Sequence, residues 1–508
     1  MFKKFYSLGL CGIEAFNVDV EIDVGKGLPG FTIIGLPDAS IKEAKERIKS
    51  AIKNSGMNFP NKKILVNLSP ADIKKEGTHF DLAMAVAIIG CSMQLDEALS
   101  GESVFLGELS LDGKLRPIKG VLSMLIKAKE LGYKNAFVPL ENVKEASAVD
   151  GIKVYASERL SHIADFLKGE EEINPLETRK INVSSGNFKE DFSQVKGNYA
   201  AKRAAEISAA GNHNMIMIGP PGSGKTMIAR RIASIMPDLT DSEIIEISRI
   251  YSCSGLLDDN IGIVDKRPFR SPHHTATQAS IIGGGRDAKP GEVVLSHRGV
   301  LFLDEIAEFD KKTLECLRQP IEDGFVDITR LKISARYPSK FLLVSGLNPC
   351  PCGYYGHPSI ECKCSQNEVA RYLNRLSGPL LDRFDLFIEM IPMDYSQLTN
   401  ESCEEKSSDI KSRVEMARLV QKKRFAGLDM KSNSEIQSSQ IEEFCCLNND
   451  SKEFLKKIFE KFNLTIRSYY KLLKVARTIA DVEGSKAVQI SHISEAFSFR
   501  KAYYSYWR

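Results

Sequence analysis

Gly219-Pro-Pro-Gly-Ser-Gly-Lys-Thr226 follows the apolar run Met215-Ile-Met-Ile218 and leads into Met227-Ile-Ala-Arg-Arg-Ile-Ala233. A short apolar strand, a glycine-rich turn and a helix in that order satisfy G-x-x-x-x-G-K-[ST] in the context the pattern requires. Gly219, Gly222 and Gly224 let successive backbone N–H groups turn inward toward phosphate oxygens at a helix N-terminus, where the helix dipole also favours an anion. Lys225 is placed to reach β- and γ-phosphates and the Thr226 hydroxyl to take a Mg²⁺ position, with Pro220, Pro221 and Ser223 completing the loop. A plain glycine turn before a helix would not require Lys and Thr at those offsets. The stretch therefore predicts an α/β domain that binds ATP and Mg²⁺.

Two further apolar strands end in polar residues suited to the same chemistry. Gly299-Val-Leu-Phe-Leu303 runs into Asp304-Glu305. A carboxylate at a strand end beside a phosphate loop can hold Mg²⁺ through water, and a second can polarise an attacking water. Asp304 is assigned the metal side and Glu305 the base. Phe341-Leu-Leu-Val344 leads to Asn348, whose amide suits a γ-phosphate sensor, although Asn before Pro349 also suits a turn.

Around this centre the chain divides by composition. Residues 1–165 alternate strand-like (Val18–Ile22, Lys63–Asn67, Ala136–Pro139) and helical stretches (Ile41–Asn54, Asp81–Gly90, Pro117–Leu131), giving a mixed α/β domain. Residues 166–190 read as a polar linker, 191–393 as the phosphate-loop α/β domain, and 394–409 as a second linker. Residues 410–508 read as a helical region with patterns at Ile410–Phe425, Gln440–Phe462, Thr465–Val482 and Ser491–Tyr504. A length of 508 residues accommodates about three such domains. With 69 Lys+Arg against 66 Asp+Glu, the balance argues against a polybasic coat protein or an acidic disordered tail. Met1-Phe-Lys-Lys-Phe-Tyr6 lacks a secretory h-region, and no apolar run reaches the roughly 18 residues that span a bilayer, so a soluble, cytoplasmic chain with no membrane partner is expected.

Among 11 cysteines, Cys350-Pro-Cys352 and Cys362-Lys-Cys364 offer four thiolates to one structural, tetrahedral Zn²⁺. Free thiols or a redox switch are the alternatives. Phe325-Val-Asp-Ile328 and Ile333-Ser-Ala-Arg336 read as a hairpin with Thr329-Arg-Leu-Lys332 at its tip. Arg330 and Lys332 there suit either a solvated turn or non-specific contact with a phosphate backbone.

Phe269-Arg-Ser-Pro-His-His-Thr-Ala-Thr277, Gly299 to Glu308, Asn348-Pro-Cys-Pro-Cys-Gly353 and Ser377-Gly-Pro-Leu-Leu-Asp-Arg-Phe-Asp385 resemble the ComM/YifB family of Mg-chelatase-like AAA+ ATPases. The likeness extends to the first domain. There Gly77-Thr-His-Phe-Asp-Leu-Ala83, Gly107 to Ile118 and Gly120-Val-Leu-Ser123 look like a ChlI-type domain with the Lon protease fold. The resemblance implies assembly into a ring, a hexamer in the family's manner, with self-association stimulated by ATP, DNA or both. It also implies a helicase acting on single-stranded and branched DNA, with branch migration during recombination and natural transformation as its activity. By the same likeness Arg383 matches an arginine finger, Arg467 a sensor-2 arginine reaching nucleotide from a helical lid (410–508), and Gly197 in Val195-Lys-Gly-Asn-Tyr-Ala200 the adenine side. The hairpin tip with Arg330 and Lys332 matches a pore hairpin. Where Lon chemistry needs serine and lysine this chain has His79 and Ser123, so the first domain is expected to be proteolytically inactive. A Mg-chelatase-like ATPase subunit, or another AAA+ remodelling factor, is the alternative reading.

Overall fold

The computed structural model describes residues 1–93, 95–179, 188–258, 260–285, 288–330, 333–392 and 404–507. A hairpin of β1 (Phe2–Cys11) and β2 (Glu14–Gly25) opens the first domain. With β3 (Gly30–Ile34), β4 (Lys63–Ser69), β5 (Ser103–Phe105), β6 (Asn135–Pro139) and β7 (Lys153–Ser157) it forms a mixed sheet in the order β3-β4-β2-β1-β5-β6-β7. Period-2 alternation sends Phe5 to the side of α1 (Ala39–Asn54) and α2 (Asp81–Gly90), and Leu8 to the side of α3 (Val121–Glu130). Every residue of α2 is buried, and its one charge, Asp81, takes a two-point bond from Arg47. The helix expected from Pro117 starts only at Val121, because Gly120 adopts φ 75° and redirects the chain.

The second domain is built on five parallel strands among the described residues, in the order β9-β10-β13-β8-β14. They are β8 (Met215–Ile218), β9 (Phe269–Arg270), β10 (Val300–Leu303), β13 (Leu342–Leu347) and β14 (Leu386–Glu389); β11 (Phe325–Arg330) and β12 (Ile333–Pro338) pair separately as the expected hairpin. A parallel sheet is covered on both faces, and the runs Met-Ile-Met-Ile and Val-Leu-Phe-Leu are accordingly buried throughout. Helices α4 (Tyr199–Gly211), α5 (Lys225–Ile235) and α6 (Asp241–Ser254) belong to this layer.

The last region comprises α7 (Ser407–Arg424), α8 (Asn449–Lys461), α9 (Ile466–Val482), α10 (Ile490–Ser498) and α11 (Lys501–Trp507). Its apolar faces share one core with α4, α5 and the parallel sheet, through Val414, Ala476 and Ile479 among others. Two expected helices are each broken. Gln440–Phe462 divides because Asn448 caps the amide of Ser451 while Leu447 bridges Val488. Ser491–Tyr504 divides at Phe499–Arg500, where the Phe499 carbonyl accepts from Phe387 and Arg500 donates to the Asp385 carbonyl. The expected linkers fall partly outside the described residues, at 180–187 and 393–403; the described flanks include helix Leu160–Lys168 and the start of α7.

The first domain rests on the second through α3 and α6. Arg249 of α6 donates to the Ser123 hydroxyl at 3.2 Å and to the Ile13 carbonyl at 3.1 Å, and Ser252 bonds the buried Glu145. Gly12, at φ 66°, abuts the β11–β12 hairpin so closely that a Cβ would lie 2.8 Å from that of Ala335. No described helix is long and apolar enough to cross a membrane.

Candidate active site

Parallel strands place all their carboxyl ends on one edge, and that edge gathers the phosphate loop after β8, Asp304 after β10 and Asn348 after β13. Gly222 (φ 76°) and Gly224 (φ 91°) take the left-handed conformations that turn the loop into α5. Lys225 Nζ donates to the carbonyls of Gly219 and Pro220 at 2.6 and 3.0 Å and to Asn348 Oδ1 at 3.1 Å. Burial pushes this ammonium down to about 8, with Asp304 and Glu305 pulling the other way. Thr226 Oγ1 donates to Asp304 Oδ2 at 2.8 Å, and a Cβ at Gly346 would come within 2.7 Å of Asp304 Oδ1. The buried Ser223 hydroxyl has no partner among the described residues. An orphaned donor, a buried ammonium making do with loop carbonyls, and a hydroxyl–carboxylate pair are the donor set that a nucleotide triphosphate with Mg²⁺ would satisfy.

Glu305 occupies the left-handed region (φ 49°), a costly conformation for a non-glycine residue, and its side chain is 48% exposed with His274 Nδ1 4.0 Å away. That geometry leaves its carboxylate free toward solvent beside Asp304. Val195–Asn198 approaches the loop from the other side. Gly197 (φ 58°) donates its amide to Glu404, and Asn198 Nδ2 donates to the Ser223 carbonyl at 3.3 Å. Asn198 was not singled out by sequence reasoning; its left-handed φ of 49°, a conformation Asn tolerates, is the only local signal it carries.

Arg383 and Arg467 are brought together, on the opposite edge of the sheet. Asp385, two residues beyond Arg383, bonds Asn214 at the amino end of β8, whereas the phosphate loop leaves the carboxyl end. The separation along the strand is roughly 16 Å. Arg467 therefore stands away from the phosphate loop of its own chain. Both guanidiniums bond Glu322, Arg467 at 2.9 Å, and they line a cavity of about 590 Å³ with Asp382, Lys471 and Lys474. Arg383 is only 7% exposed, yet its Nε and Nη1 have no partner among the described residues. Burial, and then Arg467, press its guanidinium below the ordinary arginine value against the pull of Glu322. Sequence reasoning did not single out Glu322, the carboxylate shared by both.

The four cysteine sulfurs converge within 4.8 Å of one another, with Cys350, Cys352 and Cys362 separated by 3.3 to 3.7 Å. A tetrahedron with Zn–S bonds of about 2.3 Å has edges of about 3.8 Å, so the set fits a four-thiolate ion. The Tyr354 amide, foremost, draws the Cys352 thiol down to about 6, toward the thiolate a metal needs. At Cys362 and Cys364 backbone amides pull the same way, but burial and the neighbouring thiols outweigh them and hold both above the ordinary value. A Cβ at Gly353 (φ 85°) would lie 2.6 Å from Cδ of Pro221, so the knuckle packs directly on the phosphate loop. At the hairpin, Arg330 ends β11 opposite Ile333, and Lys332 lies outside the described residues. In the first domain His79 is buried and held neutral, its value pushed down to about 4 by burial.

Comparison with known proteins covers all three regions. The family described as magnesium chelatase, subunit ChlI, matches residues 191–398; the family described as subunit ChlI of Mg-chelatase matches 20–142; and its C-terminal counterpart matches 404–500. The competence protein ComM of Haemophilus influenzae is 40% identical over 502 residues, covering 97% of this chain and 96% of that protein. The protein YifB of Escherichia coli is 41% identical over 496 residues, covering 96% and 95%. A Lon protease of Haemophilus influenzae is 26% identical over 165 residues, 30% of this chain and 20% of the protease.

Proposed function

Because the chain belongs to the ComM/YifB family of Mg-chelatase-like AAA+ ATPases, we propose that it is a ring-forming motor driving branch migration of DNA, serving integration of single strands during natural transformation. The observation that carries the ring is that the phosphate loop and the segment bearing Arg383 stand at opposite ends of β8, whose span is roughly 16 Å. One chain holds the loop, Asp304, Glu305 and Asn348 on one sheet edge and Arg383 with Arg467 on the other, so a hydrolytic site is completed only where two copies meet head to tail. The DNA substrate is supported by likeness, over nearly both full lengths, to a protein named for competence. Six subunits are the closed ring we assign.

In this reading Lys225 and the loop amides hold the β- and γ-phosphates of ATP, and Gly197 borders the base. Mg²⁺ held by Thr226 and Asp304 would neutralise charge on those phosphates. Glu305 takes the proton of the attacking water, and Asn348 releases Lys225 and orients that water. Arg383 and Arg467 of the adjoining copy meet the charge on the transferred phosphoryl group. The four cysteines hold a structural Zn²⁺ that stiffens the loop behind Pro221, and Arg330 and Lys332 follow the DNA backbone through the pore.

The test is to incubate the purified chain with three- and four-strand DNA junctions, ATP and Mg²⁺. Junction movement and DNA-stimulated hydrolysis are expected, both abolished by Lys225→Ala, while Glu305→Gln binds ATP and turns over at least about 100-fold more slowly. Hydrolysis indifferent to DNA, with junctions left in place, would refute the DNA-motor reading.

A further inference from the structure

Asn214 stands at the amino end of β8 and ties three segments together. Its Nδ2 donates to the Arg383 carbonyl at 3.0 Å, its Oδ1 accepts the Leu343 amide at 2.9 Å, and its own amide donates to Asp385 Oδ2 at 3.1 Å. From the helical region, Lys471 grips the same segment: Nζ donates to the Phe384 carbonyl at 3.0 Å and pairs with Asp385 Oδ1 at 2.8 Å. The backbone that carries Arg383 is thereby clamped between the phosphate-loop strand and α9. Among the described residues the Arg383 side chain bonds Glu322 alone, leaving Nε and Nη1 without partners, so its direction depends on that one pair and on the backbone that carries it.

We propose that Asn214 and Lys471 are positioning residues for Arg383, and that Asn214 splices each subunit's own phosphate-loop strand to the arginine it presents to its neighbour. The inference rests on the reading that Arg383 serves the adjoining copy's site. β8 is four residues long and buried along its whole length, so a shift at its phosphate-loop end is carried to Asn214 rather than absorbed. A displacement of about 1 Å in a catalytic group costs up to roughly 100-fold in rate, which is the scale on which these two side chains act.

Asn214→Asp retains an acceptor for the Leu343 amide but sets an oxygen against the Arg383 carbonyl; Lys471→Met removes the grip from the other side. Both variants are expected to bind a fluorescent ATP analogue within about twofold of the parent and to hydrolyse ATP roughly 10- to 100-fold more slowly. Mixing resolves the cause. Either variant mixed with Lys225→Ala protein should regain activity, because the Lys225→Ala copy supplies a well-placed Arg383 to an intact phosphate loop. Either variant mixed with Arg383→Ala should stay slow, since neither copy then offers a working arginine.

Recovery with Arg383→Ala would place the defect in the variant's own phosphate loop and overturn the proposal. So would loss of nucleotide binding in both variants, or a failure to recover with Lys225→Ala under conditions where the reference mixture of Arg383→Ala and Lys225→Ala does recover. If that reference mixture is itself inactive, the shared-site reading fails and takes this inference with it.

Discussion

Raising the pH should expose the buried ammonium of Lys225. Desolvation among loop carbonyls holds it down to about 8, against an ordinary 10.5. Phosphates brought beside it restore or exceed the ordinary value, so binding takes up a proton wherever the free site has lost one. At pH 8 about half of the free sites are neutral and at pH 9 about nine-tenths, so uptake should rise from about 0.5 to about 0.9 proton per nucleotide. Over the same range the association constant should fall toward tenfold per pH unit, about 1.4 kcal/mol. The assay is titration calorimetry of a non-hydrolysable ATP analogue with Mg²⁺ in two buffers of different ionisation enthalpy, the slope giving the proton count. Lys225→Arg carries its charge throughout and should show no uptake. Zero uptake near pH 9 in the parent chain, or equal uptake in Lys225→Arg, would refute the reasoning.

The cysteine knuckle and the first domain give two more tests. Zinc analysis of the purified protein should return about one ion per chain and Cys362→Ser less than about a tenth of that, with ATP hydrolysis weakened too because Gly353 packs on Pro221; full metal content in the variant would sink the four-thiolate site. His79, pushed down to about 4 from 6.5, stays neutral in the fold while the unfolded chain takes up a proton. Its stability is therefore whole above about pH 6.5 and is lost as pH falls toward about 4, some 2 kcal/mol of it by pH 5. Urea unfolding at the two pH values should show this loss, and His79→Gln should remove it; an undiminished pH dependence in that variant would refute the assignment.

The nucleotide edge was legible because its residues are consecutive with strand ends. Phosphate loop, Asp304 and Asn348 each follow an apolar run, and parallel strands must deliver their carboxyl ends to one side. The helical patterns at Ile410–Phe425 and Thr465–Val482 were equally readable, since apolar periodicity over many residues survives folding. Breaks within Gln440–Phe462 and Ser491–Tyr504 were not, for they are imposed by partners far along the chain, Val488 and Asp385.

By itself, then, the sequence determined the phosphate loop and the acidic strand end beside it: Gly222, Gly224, Lys225, Thr226, Asp304 and Glu305, on which the proposed chemistry rests, are set by local backbone conformation and functional group, which neighbours in the chain decide. Only the tertiary structure decided that Arg383 and Arg467 share Glu322 on the far edge of the sheet, and that Asn214 ties that edge to the phosphate-loop strand. Those facts depend on which strand lies beside which and on where α9 packs. They are long-range contacts between residues that are ordinary in their own surroundings, and a side chain's local pattern does not encode the segment it will meet.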